Sequence, residues 1–387
     1  MKFDVDDESR LLAESVQRLL ARDYALDARR RIVASDRGAS ASVWASFAEL
    51  GLLGLGIAPD HGGFGGGAKA TMPVMEAFGE ALVVEPYLST VGLCAQLIER
   101  GTSGERKAGL LRDVVEGRRA MALASTEEDS RHDLARVATR ARRDGDGYVI
   151  DGEKRVVVHA PVANLLLVTA RSAGEDADTA GIGVYLVDPA APGVTLRPCR
   201  TLDGMRAADV AFTGVRVDAD SRVGPEGGAW PLLEEAVDHA TALLCAEAVG
   251  ALRYANAATL DYLKERRQFG VPIGSFQALQ HRMVDMTISY EQAKSMAALA
   301  CATVDGERDP KRRRRIVSAA KIRIADAARH VSQESVQLHG GMGMSDELKI
   351  SHTFRRLTII AQQFGDADHH LRRFAADEPH ADGKGAR

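Results

Sequence analysis

The chain has 387 residues, 45% hydrophobic, 27% charged and only 5% aromatic, with a formal net charge of −4. That length allows two or three packed regions, and the near-balanced charge excludes a general attraction to nucleic acid or acidic membranes. The four cysteines, Cys94, Cys199, Cys245 and Cys301, fall into no C-x-x-C or Cys/His ligand pattern and read as reduced thiols of a cytoplasmic protein. The acidic, amphipathic start MKFDVDDESRLLAESV is unlike a targeting peptide, and no apolar run nears the roughly 18 residues of a membrane span.

From Asp7 to about Gly117, apolar residues recur at helical spacing, as in Leu11, Leu12, Val16, Leu19 and then Val43, Phe47, Leu50. This predicts a helical domain over 1–117. Within it, HGGFGGG at His61–Gly67 has neither the preceding strand nor the later acidic residue of a dinucleotide-binding unit, and reads as a loop between helices. From 118 to 227, short runs such as YVIDG, ANLLLVTARS, GIGVYLVD and ADVAFTGVRV alternate with Gly, Asp, Asn and Pro, which predicts an antiparallel β domain. Helical spacing returns over 228–376. Leu233, Ala236, Val237, Ala240, Leu244, Ala248, Ala251, Ala255 and Ala258 mark one face of a helix of about 35 residues ending near Arg266. A second helix is expected from about Phe276, capped by Ser275, to Val304. A third opens at Asp309-Pro310 and closes at His339-Gly340-Gly341. The segment 377–387 reads as a polar, frayed tail.

Two motifs stand out. Residues 262–281, YLKERRQFGVPIGSFQALQH, set an arginine fork, an aromatic and the amides of Gln277 and Gln280 close together, a set suited to a pyrophosphate. The same residues also suit a plain helix end, where Lys264, Arg266 and Arg267 favour the dipole. Residues 337–343, QLHGGMG, follow a helix with glycines that admit a ligand or serve as a simple cap. GDADHH at 365–370 looks like a metal cluster, but adjacent histidines on a helix point about 100° apart and no second cluster completes a site. The basic run Lys311–Arg315 reads as a solvated or intersubunit face.

Taken together, RRQFGVPIGSFQALQH and QLHGGMGMSDE resemble the C-terminal signatures of acyl-CoA dehydrogenases, and the resemblance spans nearly the whole chain. It implies an α+β fold with an N-terminal helical domain, a central antiparallel β-barrel-like domain and a C-terminal four-helix bundle. It also implies FAD, an acyl-CoA substrate, an electron-transfer flavoprotein as acceptor, and oxidation of the thioester to its trans-2-enoyl form. By resemblance, the first motif is a clamp reaching across a dimer interface. Arg266 and Gln277 then contact pyrophosphate and adenosine, and Phe269 packs beside adenine. Gln337, Leu338, His339, Gly340 and Gly341 follow the same cofactor, with Thr126 and Asp366 also on it. Within the family, AELGLLGLGIAPDHGGFGGG, PVMEAFGEALVVEPYL and FGDADHHL are similar to small subunits of pimeloyl-CoA dehydrogenase. That similarity implies a homologous large partner subunit and a dicarboxylyl-CoA or related long thioester.

The chain departs from the family where the chemistry is done. The usual glutamate base falls on Phe364, whose backbone N–H remains as a donor toward the thioester, and the second known base location falls on Ala240. The family's Trp-Ile-Thr segment is Val156-Val157-Val158 here. A carboxylate supplied by a partner chain would resolve this. The alternatives are a self-sufficient homomer in which a buried Asp366 with raised pKa is the base, or a non-catalytic acyl-CoA-binding subunit. Asp238 and His239 are turned away from the helix face of Ala240 and make weaker candidates.

Overall fold

A computed structural model describes residues 7–376; the tail expected at 377–387 lies outside the described residues. The N-terminal part holds α1 (Asp7–Asp23), α2 (Leu26–Ala34), α3 (Ala41–Glu49), α4 (Gly67–Ala81), α5 (Ala95–Gly101) and α6 (Gly104–Val115). Ser40 caps α3, its hydroxyl accepting the Val43 N–H at 3.3 Å. Phe47 stacks on Phe78 at 4.8 Å between ring centres, and Tyr87 meets Phe78 edge-on at 5.0 Å. Tyr87 leads into a π-helical segment, Leu88–Cys94, which runs into α5.

The central part is one eight-stranded sheet of β1 (Met121–Ala124), β2 (Arg140–Asp144), β3 (Gly147–Val158), β4 (Leu165–Arg171), β5 (Ile182–Val187), β6 (Val194–Arg200), β7 (Arg206–Val217) and β8 (Arg222–Val223). The order is β6-β7-β3-β2-β4-β5-β8, with β1 beside β4. Most pairs are antiparallel, as expected of the β domain, while β1 runs parallel to β4 and β2 meets β4 in parallel at Arg140 and Arg171. The sequence pattern missed β1 because its four residues, MALA, show no alternation. Every residue of β4 and β5 is buried, which fits strands covered on both faces and explains their unbroken apolar runs.

The C-terminal part comprises α7 (Trp230–Glu265), a hairpin of β9 (Arg267–Gln268) and β10 (Val271–Pro272), α8 (Gln277–Gly306), α9 (Pro310–His339), α10 (Lys349–Gln362) and α11 (Ala367–Ala376). The 36 residues of α7 are buried on every side from Asp238 to Leu252, because α4, α8, α9 and α10 all pack on it. Asp309 caps α9 as expected, accepting the Lys311 N–H at 3.0 Å. Ser275 does not cap α8. A single turn over Ile273–Ser275 absorbs it, its hydroxyl bonds the Pro272 carbonyl at 2.7 Å, and Phe276 takes the cap position.

Helices α4 and α7 touch through backbone. A Cβ on Gly250 would lie 1.8 Å from the Glu76 carbonyl oxygen, and one on Gly79 would lie 1.8 Å from that of Glu247. Gly250→Ala is therefore expected to push the helices apart and lower stability by about 1–3 kcal/mol. A urea midpoint unchanged from wild type would contradict that packing. Among the described residues, no helix is long and apolar enough to cross a membrane.

Candidate functional site

A cavity of about 610 Å³ opens where the β domain meets the C-terminal helices. One face of α7 supplies Glu234, Val237 and Thr241, spaced three and four residues apart as a single helix face requires. The loop after β1 supplies Ser125, Thr126, Arg131 and His132, and β3 supplies Val156 and Val158. The turn after α10 supplies Phe364 and Gly365, α11 supplies His369, and the π-helical segment supplies Ser89. Thr126 and the two valines that stand in place of the Trp-Ile-Thr segment thus share this wall. Ala240 is buried beside this face without lining the cavity.

One half-buried carboxylate pins the loop over β3. Glu127 accepts from the Lys154 ammonium at 2.6 Å, from the Ala138 and Thr139 N–H groups at 2.7 and 3.1 Å, and from the Thr139 hydroxyl at 2.8 Å. Burial opposes its charge, but Lys154 and these donors outweigh it and hold its pKa below the ordinary glutamate value. A carboxylate lowered in this way stabilises the fold above its unfolded pKa of about 4.3, and that contribution is lost as pH falls through the lower folded value. Glu127→Gln should therefore cost stability at pH 7 and flatten the loss of stability below about pH 4.3. Parallel acid limbs in the two proteins' unfolding curves would contradict this.

Backbone strain collects at the same place. Among the described residues, the non-glycine residues with positive φ are Leu82, Arg131, Val156, His159, Phe269 and Phe364. Arg131, Val156 and Phe364 line the cavity. His159 stands directly behind Ser89: its Nε2–H donates to the Val84 carbonyl at 3.1 Å, and its Nδ1 accepts the Ser89 hydroxyl at 2.6 Å. Burial pulls the His159 pKa down to about 4, so its ring is neutral. Val156 is β-branched, for which a φ of 48° is a true outlier, and a register shift in β3 between Lys154 and Val157 places it there.

The turn carrying Phe364 is held from below. Its carbonyl accepts from His370 Nε2 at 3.1 Å, and the Gly365 carbonyl accepts from Lys321 at 2.7 Å. No described residue accepts a hydrogen bond from the Phe364 N–H. Asp366 does not meet the expectation of a buried carboxylate with a raised pKa. Its Oδ1 caps α11 by accepting the His369 N–H at 2.8 Å, and its Oδ2 faces His132 Nε2 at 3.6 Å. The cap, more than any other interaction, lowers its pKa, which weakens it as a base. Its side chain is absent from the cavity wall. Asp238 and His239 are also engaged elsewhere, Asp238 with Arg313 and Arg373 at 2.9 and 2.6 Å, and His239 with the Gly92 carbonyl at 2.9 Å.

The two sequence motifs meet at the far end of the helices. The Tyr262 ring stacks on His339 at 4.4 Å, joining the end of α7 to the end of α9. Arg266, Gln277 and Gln337 are exposed, and no described residue pairs with their side-chain polar groups. Gln280 is exposed but donates to the Gly274 carbonyl at 3.0 Å. Phe269 stands 92% exposed at the hairpin tip, braced edge-on by Phe276 at 6.2 Å. Beside them Gly340 and Gly341 leave open space where a Cβ would sit. Leu338 and His339 differ from expectation, since their side chains are buried and support the surface rather than form it. None of these residues lines the 610 Å³ cavity.

Family models match the three parts in turn: the acyl-CoA dehydrogenase N-terminal domain over residues 6–118, the middle domain over 122–216 and the C-terminal domain over 227–377. The chain belongs to the acyl-CoA dehydrogenase family. It is 31% identical over 334 residues to acyl-CoA dehydrogenase FadE12 of Mycobacterium tuberculosis, covering 83% of this chain and 84% of that one. Among solved structures it is similar to the ChsE4–ChsE5 complex from Mycobacterium tuberculosis, with TM-score 0.88 and 26% identity over 98% of this chain and 100% of the matched one. It is also similar to an FAD complex of PigA, with TM-score 0.88 and 25% identity over 97% and 98% of the two chains. As an acyl-CoA dehydrogenase the chain is an oxidoreductase acting on a CH–CH bond, with FAD as cofactor.

Sequence reasoning singled out Arg266, Phe269, Gln277 and Gln337, which the structure leaves exposed, and Phe364 and the valines, which line the cavity. It missed the Glu127–Lys154, Ser89–His159 and His132–Asp366 pairs, whose members lie 27, 70 and 234 positions apart, 366 − 132 for the last. Such pairs leave no local periodicity or spacing to read.

Proposed function

We propose that this chain is the small subunit of a two-chain, FAD-dependent acyl-CoA dehydrogenase acting on a dicarboxylyl-CoA or similarly long thioester. The observation that carries the proposal is the clamp. Arg266, Gln277, Gln337 and Phe269 are exposed and line no part of their own cavity, while the head groups suited to a pyrophosphate have no partner among the described residues. Such a surface suits the adenosine diphosphate of an FAD seated in a neighbouring chain. Arg266 would hold the diphosphate, Gln277 and Gln337 would complete its hydrogen bonds, and Phe269 would cover the adenine. FAD supplies the hydride acceptor when bound.

A non-identical neighbour is favoured over a second copy because neither Phe364 nor Ala240 offers a carboxylate. The likeness to a chain of the ChsE4–ChsE5 complex supports this choice, and electron-transfer flavoprotein is the proposed acceptor. The test is complementation. A family chain that retains the Tyr-Glu-Gly-Thr glutamate is co-expressed with this one, and pimeloyl-CoA is added anaerobically. Co-purification with flavin bleaching supports the proposal, whereas failure to associate with any such chain encoded beside it would end it.

A further inference from the structure

Oxidising an acyl thioester at its Cα–Cβ bond begins with loss of the α proton, so some group in the cavity must accept it. Among the described residues, the carboxylate and imidazole side chains that line this one are His132, Asp133, Glu234, His369 and His370. Glu234 is held by Arg314, Arg373 and Arg313 at 3.0, 3.6 and 4.0 Å. Asp133 is exposed and spends an oxygen on the Ala135 N–H at 3.0 Å. His370 has both nitrogens engaged, with the Ser318 hydroxyl at 3.2 Å and the Phe364 carbonyl at 3.1 Å. His369 has its backbone N–H on Asp366 but no carboxylate oxygen against its ring.

We infer that His132, oriented by Asp366, is the base that takes the α proton of a thioester bound in this chain's own cavity. Its Nε2 faces an Asp366 oxygen at 3.6 Å, and the other oxygen is fixed by the α11 cap at 2.8 Å, so the carboxylate does not swing away. A carboxylate beside Nε2 favours the tautomer with the proton there and leaves the Nδ1 lone pair as acceptor. The His369 ring meets that of His132 edge-on at 5.8 Å. Phe364 shares the wall, and its free N–H is available to a developing oxyanion. The charged groups acting on the imidazole are Asp366, Lys321 and Arg131. Burial, joined by Lys321 and Arg131, outweighs Asp366, lowers the imidazole pKa and keeps it neutral at pH 7, the state in which it accepts a proton.

In the step itself the Cα–H bond breaks, the proton passes to Nδ1, and the electron pair enters the thioester carbonyl as an enolate. Reversal returns a proton from the imidazolium. No oxidant takes part, so the inference stands apart from the clamp and from flavin binding.

Phenylacetyl-CoA in D₂O tests it on the full chain, because this thioester has α protons but no β hydrogen to transfer. Deuterium at the α carbon is followed by proton NMR. Wild type is expected to exchange well above the enzyme-free rate, and His132→Gln about 100-fold more slowly or worse. Asp366→Asn keeps the α11 cap, since asparagine caps as well as aspartate. It is expected to slow exchange about 10-fold, within the span general-base catalysis covers. It should also move the pH midpoint down, because the charge that favoured the protonated ring is gone. Wild-type exchange no faster than buffer, or His132→Gln exchange equal to wild type, would overturn the inference. If His132→Gln fails to fold, Asp366→Asn decides: an unchanged rate and midpoint overturn it too.

Discussion

Arg356→Ala lowers the stability of the chain by about 3–5 kcal/mol, the cost of leaving buried charge without its partner. Arg356 is 2% exposed and bridges three regions. Its guanidinium grips Glu247 of α7 with two hydrogen bonds of 2.6 and 2.8 Å, and it donates to Asp203, in the loop between β6 and β7, at 2.8 Å. Both carboxylates are buried, and Arg29 reaches the same loop through the Asp203 carbonyl at 2.9 Å. Removing the guanidinium strands two negative charges and unties the β domain from the helices just where the cavity wall is built. The urea midpoint should fall steeply, with an unchanged m-value if the transition stays cooperative. A midpoint equal to wild type would show that the three charges are solvated and the bridge is not a structural tie.

Arg266→Ala acts in the opposite manner, leaving the fold intact and emptying a site. No described residue pairs with the Arg266 side chain, so its loss breaks nothing within the chain. Hydrogen bonds to a charged group contribute about 1.5–3 kcal/mol. The FAD dissociation constant of the proposed two-chain enzyme should therefore rise about 10–100-fold while the urea midpoint of this chain stays put. Flavin retention by gel filtration reads the first effect. Full retention of FAD in the variant complex would remove Arg266 from the site.

The contrast between these residues explains what was legible beforehand. Arg266, Phe269 and Gln277 lie within one short stretch, so their chemistry could be read together, and the structure keeps them together on the hairpin and the start of α8. The long helix α7 was readable because its alanines and leucines repeat at 3.6 residues per turn over 36 residues. Arg356 and Asp203 gave no such signal, since a charged residue in an amphipathic helix or in a loop reads as solvated until its distant partners are known. For Asp366 the sequence revealed the residue but not its neighbours. Its role follows from the start of α11 and from His132, which a linear reading cannot bring beside it. The parallel strand β1 escaped for a related reason, as its pairing with β4 is made 44 positions away, Met121 against Leu165.

In the proposed reading, two functions that a homomeric dehydrogenase combines lie on separate surfaces of this chain. Arg266, Gln277 and Gln337 face outward at the ends of α7 and α9, whereas the cavity lies between the β domain and α10–α11, so in the proposed assembly the surface offered to a neighbour's flavin is separate from this chain's own cavity. The most direct measurement of this division is the anaerobic flavin spectrum of the chain purified alone, before and after addition of pimeloyl-CoA. The account predicts sub-stoichiometric flavin that the thioester does not bleach. One FAD per chain, bleached within seconds, would contradict it and establish a complete site in this chain by itself.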